Sequence, residues 1–320
     1  MLSKVNPIDA ILNDYSVLIL DGALATELER HGCDLDDPLW SAKVLLENSE
    51  VIYQVHADYF HAGADCAITS SYQATIDGFS ERGISEKEAV DLIKRTVSLA
   101  RKARDDFWKD EMLVSRPKPL VAGSVGPYGA YLADGSEYVG NYGVSDERLR
   151  EFHRPRISAL IDAGADLLAF ETIPSLQEAN VLISLLKEFP NASAWLSFSL
   201  KNGAVISDGT LLKDCAKSFA DNEQIVAIGI NCAPASVVKE AVNVLREYTE
   251  TPIIVYPNSG ETYHPETKTW SGREVCNHLD EQVKDWYDDG ARLIGGCCRT
   301  TPKQIEKIAK KLRPIQTVSI

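Results

Sequence analysis

The sequence predicts an α/β protein folded as one (β/α)8 barrel of the TIM type, a single domain over residues 1–320. Three observations point there. Eight short apolar runs alternate with amphipathic stretches along the chain. A helix-to-strand join recurs three times. Polar and metal-capable side chains gather where the apolar runs end, the rim on which a barrel of this kind carries its chemistry.

The runs are residues 17–21, 66–71, 119–125, 167–171, 194–200, 225–231, 252–257 and 291–296. They are near-continuously apolar, as parallel strands buried on both faces must be. Between them, Ser85 to Arg104 places Ala89, Leu92, Ile93, Val97, Ala100 and Ala103 at helical spacing. Four helix starts carry a capping-box pattern: Ser85 with Glu88, Ser175 with Glu178, Ser271 with Glu274, and Thr301 with Gln304. Pro302 suits the first helical position, so the last helix begins just after Cys298. The recurring join is Ala62-Gly-Ala-Asp65, Ala163-Gly-Ala-Asp166 and Asp289-Gly-Ala-Arg292, each a helix ended by glycine that leads into a strand. Residues 105–118 read as a charged connection. A doubly wound open sheet is the competing architecture. Its dinucleotide-binding version lacks the Gly-x-Gly-x-x-Gly that would follow the first strand.

Charge narrows the function. A net charge of −14 and a pI near 4.9 disfavour a nucleic-acid surface or docking on an anionic membrane. No run reaches the roughly 20 apolar residues of a membrane span, and Met1 to Asp14 has no signal-peptide pattern. Seven cysteines are an odd number and no disulfide framework. A reducing cytoplasm is the expected compartment.

The strand ends hold the unusual residues: Asp21-Gly-Ala, Thr69-Ser-Ser-Tyr72-Gln, Gly123-Ser-Val-Gly-Pro127, Glu171-Thr, Asn231-Cys232, Tyr256-Pro-Asn-Ser-Gly260 and Gly296-Cys297-Cys298. Cys232, Cys297 and Cys298 at strand ends suit one Zn²⁺ per chain with its fourth position open to substrate. Three thiolates leave such a site with net charge −1. It polarises carbonyls poorly but holds a substrate thiol well as thiolate. Buried core cysteines, or a vicinal disulfide, are the competing readings of the pair. Cys33, Cys66, Cys215 and Cys276 read as loop or core fillers. The six histidines lack metal-binding spacing and read as surface or structural groups. Asp21 and Glu171 suit either an acid/base pair or a grip on an ammonium group, and an amino-acid thiol as substrate favours the grip. The Gly123–Pro127 turn offers backbone N–H groups to a substrate carboxylate.

At these residues the chain resembles the homocysteine S-methyltransferase family, from Leu20-Asp-Gly-Ala-Leu-Ala-Thr-Glu27 to Gly295-Gly-Cys-Cys-Arg-Thr-Thr-Pro302. Ser71-Tyr-Gln-Ala-Thr75, Gly123-Ser-Val-Gly-Pro-Tyr-Gly-Ala130 and Tyr256-Pro-Asn-Ser-Gly-Glu261 resemble the branch that uses S-methylmethionine. The resemblance implies a zinc enzyme that moves a methyl group from a sulfonium donor to L-homocysteine, forming L-methionine. S-methylmethionine leads as donor and S-adenosylmethionine follows. It implies Cys232, Cys297 and Cys298 as ligands, Asp21 and Glu171 as contacts to the homocysteine amino group, and Thr69 beside the homocysteine. No side chain beyond the zinc site is expected to be catalytic. Betaine-using relatives carry an aromatic residue right after the fourth-strand glutamate, where this chain has Thr172. A sulfonium favours aromatic faces. Among Trp40, Tyr128, Tyr131, Tyr138, Tyr142 and Trp270, the expected donor contacts are Trp40 and Tyr128. The expected partners are these small molecules alone. The physiological donor, selenium analogues of the acceptor and the oligomeric state stay open. Two other classes compete, a metal-dependent barrel hydrolase and a non-catalytic zinc-bearing interaction module.

Overall fold

A computed structural model describes residues 6–35, 41–110, 116–259, 262–264, 269–271 and 279–313. Eight parallel strands follow the predicted runs: β1 (Leu18–Ile19), β2 (Cys66–Ile68), β3 (Leu120–Val125), β4 (Leu167–Ile173), β5 (Ala194–Phe198), β6 (Ile225–Pro234), β7 (Ile253–Asn258) and β8 (Ala291–Ile294). Each pairs with its neighbours in chain order, and β1 pairs with β8 through Leu18–Leu293 and Ile19–Ile294. A parallel bridge between Leu20 and Cys66 joins β1 to β2, so the sheet closes. Closure excludes the open doubly wound sheet. Two short antiparallel hairpins, Leu200–Asn202 with Val205–Ile206 and Thr262–His264 with Thr269–Ser271, form separate sheets.

Alternation along the strands explains why they are apolar throughout. Leu18, Leu20, Leu167, Ala169, Ile254, Tyr256 and Leu293 belong to the inner core. Ile19, Leu168, Phe170, Ile253, Val255 and Ile294 pack outward in the strand–helix layer, which includes Leu160, Leu182 and Ile305. Truncating one such side chain to alanine costs about 2–5 kcal/mol, because the closed barrel collapses little into the gap. The helix Pro7–Asp14, which the sequence reading did not anticipate, is capped by Asn6 and turns Ile8 and Ile11 into the inner core.

The recurring join is a structural device. Gly63, Gly164 and Gly290 adopt φ of +110°, +83° and +127°, a left-handed region open to glycine. In the first two joins the aspartate that follows ties two neighbouring strands. Asp65 accepts from the Ile19 N–H at 2.8 Å, and Asp166 accepts from the Val121 N–H at 2.8 Å. Arginines answer both carboxylates: Arg104 at 2.9 Å from Asp166, Arg116 at 3.7 Å from Asp65, and Arg313, also paired with Asp65.

Two local readings are corrected. The helix Glu86–Asp110 runs through the first part of the stretch read as a charged connection. Its acidic and basic residues are the solvated face of a long amphipathic helix. The capping boxes at Ser85 and Thr301 form, but at Ser175 only half does. Ser175 Oγ accepts from the Glu178 N–H, while the Glu178 carboxylate turns to partners far away in sequence. Ser271 ends a hairpin strand, and its expected partner Glu274 lies outside the described residues. No helix among the described residues is long and apolar enough to cross a membrane.

Candidate active site

The Gly295-Gly296 pair lets β8 approach β1 at the carboxyl rim. A Cβ on Gly295 would lie 2.5 Å from Leu20 Cβ, and one on Gly296 would lie 2.4 Å from Thr300 Oγ1. Thr300 donates to the Cys297 carbonyl at 2.6 Å, which folds the turn carrying both cysteines. Gly296 N–H donates to the Asp21 carbonyl, and Cys297 N–H to the Pro257 carbonyl. Asn258 accepts from the Cys298 N–H at 3.2 Å. The pair is therefore held from both sides, by β1 and by β7.

Cys232 reaches it from β6. The β6–β7 register shifts between Asn231 and Pro234, and Cys232 itself adopts φ of +52°. A bulge of this kind re-aims a side chain, and the left-handed backbone costs about 1 kcal/mol at a non-glycine residue. The same device recurs one side of the rim away, where the β4–β5 register shifts between Phe170 and Ile173 and Thr172 has φ of +59°. Arg299, just after Cys298, has φ of +67°.

The sulfurs converge. Sγ–Sγ separations are 3.3 Å for Cys232–Cys297, 3.5 Å for Cys232–Cys298 and 4.0 Å for Cys297–Cys298. Three thiolates bound tetrahedrally at a Zn–S distance of about 2.3 Å stand roughly 3.8 Å apart. The donor set therefore fits one soft metal ion. Among the described residues it is the one group of three or more His, Cys, Asp or Glu donor atoms so close together. Within the trio the Cys232 thiol is pulled well below its ordinary range by hydrogen bonds from Cys297 and Cys298, with a further one from Tyr138, whose hydroxyl lies 3.4 Å away. Cys297 and Cys298 are pushed up in exchange, each through its hydrogen bond with Cys232 first.

Two buried carboxylates lie at the rim. Asp21 accepts from the Ile68 N–H at 2.8 Å through Oδ2. Its buried Oδ1 has no partner. Burial drives its carboxyl well above the ordinary range, and the Glu171 charge adds to the rise. Burial likewise pushes Glu171 up to about 7, against hydrogen bonds from Ser124 and Tyr256. Thr69 stands behind them, its Oγ1 accepting from the Ser124 N–H at 2.9 Å and meeting Ser71 Oγ at 2.7 Å.

A buried polar chain supports Glu171. Tyr256 OH lies 3.2 Å from Glu171 Oε2, Ser197 Oγ 2.7 Å from Tyr256 OH, and Asn231 Oδ1 2.8 Å from Ser197 Oγ. Thr172 N–H and Asn231 Nδ2 fix the amide orientation, so Asn231 Oδ1 only accepts. Three links then share two hydroxyl protons. A proton on Glu171 completes the chain, and an external cation favours the ionised form instead.

A second buried group braces the rim from outside. Glu178 accepts from the Tyr128 N–H at 2.6 Å, His153 Nε2 at 2.8 Å and Tyr142 OH at 3.1 Å. Arg156 donates to His153 Nδ1 and to the carbonyls of Tyr72 and Gly126. This leaves His153 neutral with its proton on Nε2, and burial lowers its pKa accordingly. The histidine is structural, as the sequence suggested.

The structure thus brings Cys232, Cys297 and Cys298 together and sets Asp21, Thr69 and Glu171 on the same rim. Tyr128 packs its ring among Tyr131, Tyr142 and Phe152; the tyrosine whose hydroxyl reaches the sulfurs is Tyr138. Trp40 lies outside the described residues. Sequence reasoning missed Ser197, since two serines at the end of the fifth run carry no chemical signature. It also missed Glu137, in the loop after β3.

Fold and site define a barrel enzyme with a cluster of three cysteines that could hold a soft metal ion, flanked by buried carboxylates. A family model described as homocysteine S-methyltransferase matches residues 18–312. The chain is 57% identical over 314 residues to homocysteine S-methyltransferase YbgG of Bacillus subtilis, covering 98% of this chain and 100% of that one. It is 52% identical over 308 residues to homocysteine S-methyltransferase of Escherichia coli, covering 95% and 98%. The crystal structure of the homocysteine methyltransferase MmuM from Escherichia coli, metallated form, superposes with a TM-score of 0.88 at 49% identity, covering 96% of this chain and 100% of that one. The chain belongs to the homocysteine S-methyltransferase family and is a methyltransferase.

Proposed function

We propose that the protein is a zinc-dependent enzyme that transfers a methyl group from a sulfonium donor to the thiol of L-homocysteine, forming L-methionine. S-methylmethionine is the first donor to test and S-adenosylmethionine the second. The observation that carries this reading is the convergence of Cys232, Cys297 and Cys298 within 3.3–4.0 Å beside two buried carboxylates. A zinc ion held by these sulfurs would supply one exchangeable position and keep the acceptor sulfur as thiolate near neutral pH.

The protein's own groups do the rest. Asp21 and Glu171 take the homocysteine ammonium, which supplies the proton donors that Asp21 Oδ1 lacks and favours ionised Glu171. Thr69 supports this contact from β2. With the amino end fixed, the acceptor sulfur is aligned for in-line displacement at the donor methyl. A bond forms from acceptor sulfur to methyl, and the donor S–C bond breaks with its electron pair going to the donor sulfur. Thiolate and sulfonium become two neutral thioethers, so the leaving group needs no proton. Alignment, rather than general acid catalysis, carries the rate.

Trp40 and Tyr128 are proposed on the donor side, Tyr128 through the loop it anchors. The six described cysteines are unpaired thiols, which supports a reducing cytoplasm as the compartment. The test gives zinc-loaded protein homocysteine with each sulfonium separately and measures methionine. Methionine formation that requires both acceptor and sulfonium is expected. Absence of product with either donor, or hydrolysis without a thiol acceptor, contradicts the reading.

A further inference from the structure

We infer that Glu137 supplies the counter-charge for the cationic methyl donor, in a subsite walled by Tyr138 and Tyr72. The inference rests on the sulfonium-donor reading above and names a residue for its least specified part.

Glu137 lies on the short 3₁₀ turn Ser136–Tyr138 in the loop after β3. The next residue, Tyr138, sets its hydroxyl 3.4 Å from Cys232 Sγ, so the turn is built against the sulfurs. It is pinned there. Ser199, just beyond β5, donates to the Glu137 carbonyl at 3.0 Å and meets Ser207 Oγ at 2.9 Å. Gly129 packs so closely under the turn that a Cβ would lie 2.4 Å from the Glu137 nitrogen. Yet the carboxylate oxygen Oε2 is buried without a hydrogen-bond partner. The other rim carboxylates have other work: Asp21 and Glu171 for the acceptor ammonium, Glu178 for Tyr128, Tyr142 and His153.

The surroundings suit a sulfonium. Burial first, and then the charge of Cys232, push the Glu137 carboxyl up to about 7. A cation reaching Oε2 would supply the partner it lacks. A sulfonium offers no N–H or O–H, so a binding site must meet it with charge and aromatic faces. Tyr72 is half-buried, feels the charges of Glu137 and Cys232, and receives a hydrogen bond from Thr172. Tyr138 feels those of Cys232 and Cys298 and adjoins Tyr72. Two tyrosines and one carboxylate therefore lie near the sulfurs.

The role is a binding one. Methyl transfer cancels the donor's positive charge, so Glu137 holds the ground state more tightly than the transition state. Its loss should appear in the donor KM and leave kcat unchanged or raised. The test is steady-state kinetics of Glu137→Gln and Glu137→Asp with S-methylmethionine and homocysteine, with zinc content measured on each. Glu137→Gln should raise the donor KM roughly ten- to a hundredfold and leave homocysteine KM and zinc content at wild-type levels; Glu137→Asp should recover most of the donor affinity. An unchanged donor KM, a parallel loss for both substrates, or loss of zinc overturns the inference. Wild-type protein inactive with every sulfonium overturns the functional reading and this inference with it; active wild type with an indifferent Glu137→Gln overturns the inference alone.

Discussion

The two rims of the barrel use the same residue type in opposite ways. At the amino-terminal rim, Asp65 and Asp166 accept from strand N–H groups and are answered by Arg313, Arg116 and Arg104. At the carboxyl rim, Asp21 keeps a buried oxygen without a partner, and so does Glu137, while Glu171 is pushed up to about 7. The carboxyl rim also holds three of the four described non-glycine residues with positive φ, Thr172, Cys232 and Arg299. One rim meets its carboxylates with arginines; the other leaves Asp21, Glu171 and Glu137 without an ion pair among the described residues and carries left-handed backbone. Stability is built where the strands begin, and binding capacity is held at a cost where they end.

The largest expected effect breaks the sulfur trio. Cys297→Ser should lower methionine formation by about a thousandfold or more and remove the zinc, read by metal analysis of the purified variant, without touching the lower rim. Next comes the lower rim itself. Asp65→Ala leaves Arg313 and Arg116 facing an empty buried site, which should cost about 3–5 kcal/mol in urea unfolding. Homocysteine KM should stay at the wild-type value; a matching kinetic loss would erase the distinction between the rims.

Glu171→Gln sharpens the comparison, because binding and stability should move in opposite directions. Homocysteine KM should rise roughly tenfold to a hundredfold with the lost charge. Glu171 titrates near 7 when folded, against an ordinary value of 4.5. The folded state therefore keeps its proton through that window while the unfolded state releases it. Wild-type stability falls as pH rises from about 4.5 to 7, and the cost above 7 is about 3 kcal/mol. Glutamine does not ionise, so Glu171→Gln should unfold at higher urea than wild type at pH 8, with the gap closing toward pH 4. A variant less stable at pH 8 would show that Glu171 is not held in the folded state at a cost.

Much of this was legible in the sequence, and the misses have physical causes. The strands were readable because both faces of each are buried, which writes an apolar run. Cys232, Cys297 and Cys298 were readable because strand ends converge in a closed barrel. Glu178 was misread as half of a capping box because sequence shows a partner three residues away and hides His153 and Tyr128, 25 and 50 residues distant. Residues 105–110 looked like a loop because a solvated helix face is charged. Glu137 was hidden, and Tyr138 was named but passed over, for a different reason. A long loop folds back by packing, here of Gly129 against the turn and Ser199 beneath it, and no periodicity records that.

X-ray absorption at the zinc edge, on protein with and without homocysteine, tests the central claim most directly. The account predicts three protein sulfurs at about 2.3 Å and a fourth sulfur on adding homocysteine. Fewer than three sulfurs, or a shell that stays the same when homocysteine is added, would contradict it.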